Sequence, residues 1–231
     1  MDTEDWNDAD AYLAWATQEL VRNGHKKLCM VRDAPTAKAV DEFERVLEEA
    51  KTEDPLQEFF EEHPEVLAHQ IGAGCRWIIP KPKVGGVYVP DFMAARLNSG
   101  GLRWVAIELE TPCIDSLFVG KYKTPARELR NGLQQIKDWR HWIENNLQTA
   151  RNSPRNGGCG FVDISPKVQG MVIIGRRRIT NQDDQRRRHD IFWNEHCEIQ
   201  TYDWLLEEAR KMIPMRHPVT DECEECELYG R

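Results

Sequence analysis

The feature that most constrains this chain is a change of hydrophobic period. Between about Trp77 and Glu110 three short runs rich in β-branched and aromatic residues, WIIP, VYVPDFMAARL and LRWVAIELE, are separated by Pro, Gly, Asn and Ser turn signals. They predict a β-meander. From Pro125 to about Ala150 the period becomes helical, with Leu129, Leu133, Ile136, Ile143 and Leu147 recurring on one side. After the loop NSPRNGGCG, the run QGMVIIGRR reads as a buried strand, residues 183–194 as a charged helix, and EIQTYDWLLEEARKMI as a further strand and helix. The order β-β-β-α-β-α-β-α implies an α/β fold, a mixed sheet with helices packed on it.

Ahead of the strands the chain is helical and acidic. Ala11, Leu13, Trp15, Leu20 and Val21 recur between Asp8 and Arg22, and a second pattern runs from about Thr36 to Lys51. Glu53-Asp54-Pro55 opens another helix, because acids favour a first turn and Pro is tolerated there; Leu56, Phe59 and Phe60 form its apolar stripe. Pro64 allows at most one more short turn. The composition, 40% hydrophobic and 30% charged, is that of a chain that folds rather than stays disordered. No apolar run approaches the roughly 20 residues of a membrane helix, and the opening MDTEDWNDAD is acidic where a secretory signal is basic. A cytoplasmic location without membrane contact is expected. The seven cysteines, odd in number and scattered, read as reduced thiols.

The net charge of −8 hides a regional pattern. Residues 1–70 hold 7 basic and 18 acidic side chains, residues 71–214 hold 22 and 16, and the tail from 215 holds 2 and 5. A basic centre between acidic ends fits a polyanion-binding face, and fits solvated surface charge about equally well. Nucleic acid is permitted as a partner, not demanded.

In WVAIELE a strand period of two puts Val105, Ile107 and Leu109 on one face and Trp104, Ala106, Glu108 and Glu110 on the other. With the apolar face buried, two carboxylates lie at the edge of a core, where like charges are costly and a divalent cation would relieve them. Asp91 follows Pro90 at the start of the preceding strand, and a short hairpin would bring it alongside Glu108 as a third carboxylate. Hard oxygen ligands suit magnesium or manganese. The bland alternative is an exposed strand edge that carries glutamate by chance.

A Pro-Asp pair followed by sixteen residues and Glu-x-Glu resembles the PD-(D/E)xK nuclease signature, in which Asp and Glu hold metal and a lysine assists the attacking water. Glu110 stands where that pattern has lysine. Either the lysine comes from elsewhere, or Glu110 is a further metal ligand, or the site is inactive. The runs LQEFFEEHPEVL, VPDF, IELETP, LFVGKYKTPARELRNGLQQIKDW, VIIGRR and TYDWLL, in that order over roughly residues 53–210, resemble the nuclease domain of Shedu-type anti-phage defence proteins.

The resemblance implies a restriction-endonuclease-like mixed β-sheet flanked by helices. It divides the chain into an acidic helical N-terminal extension (residues 1–52), a PD-(D/E)xK-like nuclease domain (53–213) and an acidic C-terminal tail (214–231). It further implies a DNA endonuclease dependent on Mg2+ or Mn2+, assembled as a homo-oligomer that pairs active sites. The alternative is a catalytically inactive nuclease-fold module that binds DNA or regulates. Residues 1–52 lie outside the resemblance; their expected roles are to cover the basic face, to mediate assembly or to contact a phage-derived trigger.

On that reading Asp91, Glu108 and Glu110 bind metal at the catalytic centre. Glu53 resembles the acid that opens the family's first helix and joins them, unless it serves only as a charge on the helix dipole. Lys121 is favoured as the displaced lysine, and Gln135 fits the glutamine of the family's helix motif, on a polar stripe with Glu128, Asn131 and Asp138. Lys123, Arg127, Arg176, Arg177, Arg178, Arg186 and Arg187, with Arg188, are candidates for contacts to backbone phosphates that read no sequence. Surface solvation is the competing reading of each arginine run.

Three other signals carry little. Cys223-Glu-Glu-Cys226 with His217 resembles half a zinc site, but no second pair follows. His196 and Cys197 are adjacent, so on a strand they point to opposite faces and cannot act as a base and its nucleophile. Gly157, Gly158 and Gly160 lack the following Lys-Ser/Thr of a phosphate loop.

Overall fold

In the computed structural model, which describes residues 9–29, 32–72, 75–86, 88–98 and 101–216, the two N-terminal helical patterns are α1 (Ala9–Arg22) and α2 (Ala37–Glu49). Thr36 caps α2 by accepting from the Ala39 N–H at 3.1 Å. Between the two helices runs β1 (Lys26–Leu28), a strand too short for any sequence period to announce. The acid-Pro start gives α3 (Asp54–Glu62), and Pro64 opens the short α4 (Pro64–Ala68). The meander is β2 (Arg76–Pro80), β3 (Phe92–Asn98) and β4 (Gly101–Leu109).

A small hairpin follows, β5 (Phe118–Val119) and β6 (Thr124–Pro125), and leads into α5 (Arg127–Asn145) and α6 (Leu147–Arg151). The chain closes with β7 (Gln169–Ile173), α7 (Gln182–Glu195), β8 (Cys197–Gln200) and α8 (Tyr202–Met212). Reciprocal hydrogen bonds between Asn181 and Asp184 form a capping box on α7, and Thr201 caps α8.

The strand order is β1-β2-β3-β4-β7-β8, antiparallel from β1 through β4 and parallel from β4 to β8. This is an open, mixed six-stranded sheet flanked by helices. One face presents Trp77, Met93, Trp104, Ala106 and Val172 to the core shared with α1 and α5. The other presents Ile78, Phe92, Val105, Ile107 and Ile173 to the core shared with α2, α3, α4 and α8. The expectation for β4 was one buried face. Both are buried, because β4 is central in the sheet and helices cover it on each side: Trp104 is 5% exposed, Ala106 0% and Glu108 3%.

Two boundaries differ from the sequence reading. The long helix is interrupted at Asn146, where the side-chain Nδ2 donates to the Trp142 carbonyl at 2.9 Å and the backbone leaves helical geometry. The run VYVPDFMAARL forms a strand only from Phe92, since Pro90 has no N–H for a ladder. Residues 9–49 do not stand apart from the rest. β1 pairs with β2, α1 places Leu13, Ala16 and Leu20 in the first core, and α2 places Val40, Phe43 and Leu47 in the second. Among the described residues no helix is long and apolar enough to cross a membrane. His217, Cys223 and Cys226 lie outside the described residues.

Two glycines seat α5 on the sheet. A Cβ on Gly170 of β7 would meet Ile136 of α5 at 2.8 Å and the Cys197 sulfur at 3.0 Å; one on Gly132 of α5 would meet Val172 and Glu110 at 3.1 Å. Helix and sheet therefore approach through the places where side chains are missing. Gly170→Ala is expected to lower the free energy of unfolding by about 1–3 kcal/mol through overpacking. Urea denaturation would measure it, and a change below about 0.5 kcal/mol would contradict this seating of α5.

Candidate functional site

The acidic residues meet where β4 ends. The β3–β4 register pairs Phe92 with Ile107, so the next rung sets Asp91 beside Glu108, as the hairpin argument expects. An Asp91 oxygen accepts from the Leu109 N–H at 2.8 Å, which ties the side chain to the neighbouring strand. Glu108 points into the core shared with α5, and its Oε1 is buried without a hydrogen-bond partner. Glu110 is half-buried just beyond the strand. Its N–H donates to the Ile173 carbonyl at 2.9 Å, and its own carbonyl accepts from the Tyr202 hydroxyl at 2.8 Å. Glu53 lies at the N-cap of α3, half-buried.

The electrostatics show how these groups crowd one another. Burial is the main cause that raises Glu108 to about 10, reinforced by the Asp91 charge, by a hydrogen bond to Asp91 and by Glu110. In that hydrogen bond Glu108 holds the proton and Asp91 accepts. Asp91 is itself raised, by burial first and by Glu53 in part, against the lowering effects of the Leu109 N–H, of Glu108 and of Lys81. Burial, followed by Glu53, Asp91 and Glu128, raises Glu110 to about 8, while a hydrogen bond from the Gly132 backbone opposes the shift. Burial and the nearby charges of Asp91, Glu53 and Glu110 hold the Tyr202 hydroxyl well above its ordinary range, so it stays a donor.

Four carboxyl groups thus share one poorly hydrated space. Whether they fit a divalent cation is answered differently by chemistry and by spacing. All are hard oxygen donors, and one buried oxygen lacks any hydrogen bond. Yet among the described residues no three His, Cys, Asp or Glu side chains stand at the spacing of a ready-made metal cage. A proton on Glu108 draws it to Asp91, so the two form a protonated acid pair.

The basic candidates divide. Lys121 sits in the exposed turn of the β5–β6 hairpin, its Nζ 5.8 Å from the Tyr122 ring centre. The lysine whose charge bears on Asp91 is Lys81, just past β2, which donates its backbone N–H to the Asp91 carbonyl at 2.9 Å and pairs with Glu61 at 3.4 Å. Nothing in the local sequence around Lys81 marks it; the β2–β3 pairing brings it there. On α5, Glu128 and Gly132 face Glu110, and Gln135 stands exposed one turn further on.

The arginine runs are largely engaged inside the fold. Arg176 binds Asp203 at 3.0 Å and Glu48 at 2.7 Å, Arg177 pairs with Glu207, and Arg188 donates to the Ile199 carbonyl and to Gln200 at 2.7 Å. Arg187 lies with its guanidinium carbon 6.0 Å from the Phe118 ring centre. Lys123, Arg127, Arg178 and Arg186 remain exposed, Arg127 beside Glu128 at 3.2 Å and Arg186 beside Asp183 at 3.7 Å.

The raised Glu108 has a measurable consequence. Its folded-state value, about 10, lies far above the ordinary 4.5, so the stability it contributes is full below about 4.5 and is lost as pH rises toward 10. Glu108→Gln keeps a neutral hydrogen-bond donor. In metal-free buffer at about pH 8 it is expected to be more stable than wild type by about 2–4 kcal/mol, the gain vanishing near about pH 4.5. Denaturation curves across that range would test this, and a destabilised variant at the higher pH would refute the buried-acid description.

A comparison with curated proteins finds no match. A family model described as Shedu protein SduA, C-terminal, matches residues 50–206. That span runs from the end of α2 into α8 and includes Glu53, Asp91, Glu108 and Glu110. The chain belongs to the Shedu SduA C-terminal family.

Proposed function

We propose that this chain is a divalent-metal-dependent DNA endonuclease acting in anti-phage defence, on a restriction-endonuclease-like sheet. The family's association with defence supports the setting. The observation that carries the chemistry is the buried, partnerless oxygen of Glu108 among Asp91, Glu110 and Glu53 at the end of a central strand. A buried oxygen without a partner is costly, and Lys81, whose charge bears on Asp91, is itself shared with Glu61.

Asp91, Glu108 and Glu110, with Glu53, would hold Mg2+ or Mn2+; such an ion supplies an acidified water and charge to offset a phosphorane-like transition state. The residues around them fix geometry. The Leu109 N–H orients Asp91, the Glu110 side chain lies against Gly132 of α5, and Tyr202 holds the Glu110 carbonyl. Lys81 partly offsets the burial that raises Asp91 and offers the point charge that the signature's lysine would give to phosphate oxygens. Lys121, Lys123, Arg127, Arg178 and Arg186, all exposed, would meet the DNA backbone.

Cleavage of linear, supercoiled and single-stranded DNA with magnesium or manganese tests the reading. Glu108→Ala is expected to lower the rate by at least about 100-fold, and Lys81→Ala by about 10–100-fold, more than Lys121→Ala. Calorimetry should show metal binding that Asp91→Ala abolishes. Absent or metal-independent cutting by the wild type would instead favour a nuclease-fold module that binds DNA without cleaving it.

A further inference from the structure

The opposite end of the sheet carries an unusual row of like charges. The strand registers place Arg76 of β2 opposite Arg96 of β3, and Arg96 opposite Arg103 of β4. Residues directly opposite share a face with their Cβ atoms about 5 Å apart, and like charges so placed repel. Lys167 extends the row, because it stands two residues before Gln169, whose partner Val105 stands two residues after Arg103. Arg76 is buried and donates to the Gly72 carbonyl. The Arg96 guanidinium crosses the same turn, so close over Gly72 that a side chain there would collide with it.

The outer members of this row open on a surface depression. Arg96, Arg103, Ser165, Lys167, Gln169 and His196 line it, with Trp104 and Phe192 as an aromatic wall. No Asp or Glu lines it. Glu195 pairs with Lys137 at 2.9 Å, and Glu198 accepts from Gln169 of the lining at 2.7 Å. Among the described residues no ion pair or side-chain hydrogen bond is made by Arg96, Arg103 or Lys167, and Arg103 and Lys167 are exposed. Six other arginines, Arg22, Arg45, Arg151, Arg176, Arg177 and Arg210, each have a carboxylate partner, whereas Arg130, Arg155 and Arg178 are exposed without one among the described residues.

We propose that Arg96, Arg103 and Lys167 form a binding site for a phosphoryl anion, separate from the carboxylate centre. Two guanidiniums on adjacent strands close on one tetrahedral anion with paired N–H donors, and Lys167 adds a third charge from the bend that leads into β7. Arg103 and Glu108 are five residues apart on one strand, about 17 Å, so a ligand here does not reach the acids. The phosphoryl group belongs either to a small phosphorylated molecule such as a nucleotide or to a nucleic acid strand. The inference does not depend on the chain being a nuclease.

The test uses the full chain at low ionic strength without divalent metal. Inorganic phosphate and pyrophosphate are titrated by calorimetry and thermal melting against chloride at matched ionic strength. Wild type is expected to bind pyrophosphate and to melt higher in it than in chloride. Arg103→Gln and Lys167→Gln should weaken pyrophosphate binding by about tenfold or more, and Arg103→Lys by less, while Lys38→Gln on α2 leaves it unchanged. In the phosphate-free buffer Arg103→Gln should melt no lower than wild type, because it relieves repulsion; a purely structural arginine would give the opposite sign. Equal effects of pyrophosphate and chloride on wild type, or an undiminished response in Arg103→Gln, would overturn the proposal. A labelled oligonucleotide that pyrophosphate displaces and Arg103→Gln no longer binds would assign the anion to nucleic acid. Pyrophosphate binding without such competition would assign it to a small phosphorylated ligand.

Discussion

Carboxylates held where water cannot screen them set the terms for everything around them. β4 is covered on both faces, so Glu108 has no solvent side to turn to, and its proton affinity rises until the neutral form persists far above the ordinary range. The conflict cannot relax by movement. Asp91 is tied to the Leu109 N–H, Glu110 is fixed through its backbone on both sides, and α5 is seated against the sheet through Gly132 and Gly170. A sheet that places three acids together, with Glu53 of α3 beside them, concentrates electrostatic cost at one point, and the apolar cores on either side supply the stability that tolerates it.

The architecture explains why this point and no other. β4, β7 and β8 run parallel, and in open α/β sheets ligands gather beyond the carboxyl ends of such strands. Glu110 lies there, with α5 and α8 bringing Gly132 and Tyr202 to it from opposite layers. The amino end of β4 has the opposite sign, with arginines in a cross-strand row. The sheet is therefore charged oppositely at its two ends, and both charge sets sit on the same central strands.

Much of this was legible from residue order because it depends on short-range periods. Alternation in WVAIELE assigned Glu108 to its face, and the Pro-Asp spacing predicted the pairing of Asp91 with it. What escaped depends on contacts between distant segments. Lys81 reaches Asp91 through strand pairing, and its neighbours give no sign of it. Arg176 looked like a phosphate ligand because it begins a run of three arginines, yet its partners Glu48 and Asp203 come from elements far away in the chain. β1 has three residues and no room for a pattern, and the break at Asn146 follows from one side chain competing for a helix carbonyl. The expectation of a half-exposed β4 failed for a similar reason, since burial of its second face is decided by α1 and α5 rather than by the strand.

The Arg176 contacts have a consequence for where this chain can be cut. This one guanidinium links the turn after β7 to Asp203 in α8 and to Glu48 in α2, which lies outside the matched span. A chain trimmed back to residues 50–206 would leave that cation half-buried with one partner fewer, strip the edge from β2 and bare the apolar surface under Phe43 and Leu47. The N-terminal segment is thus part of the folded unit and cannot be discarded without exposing its partners.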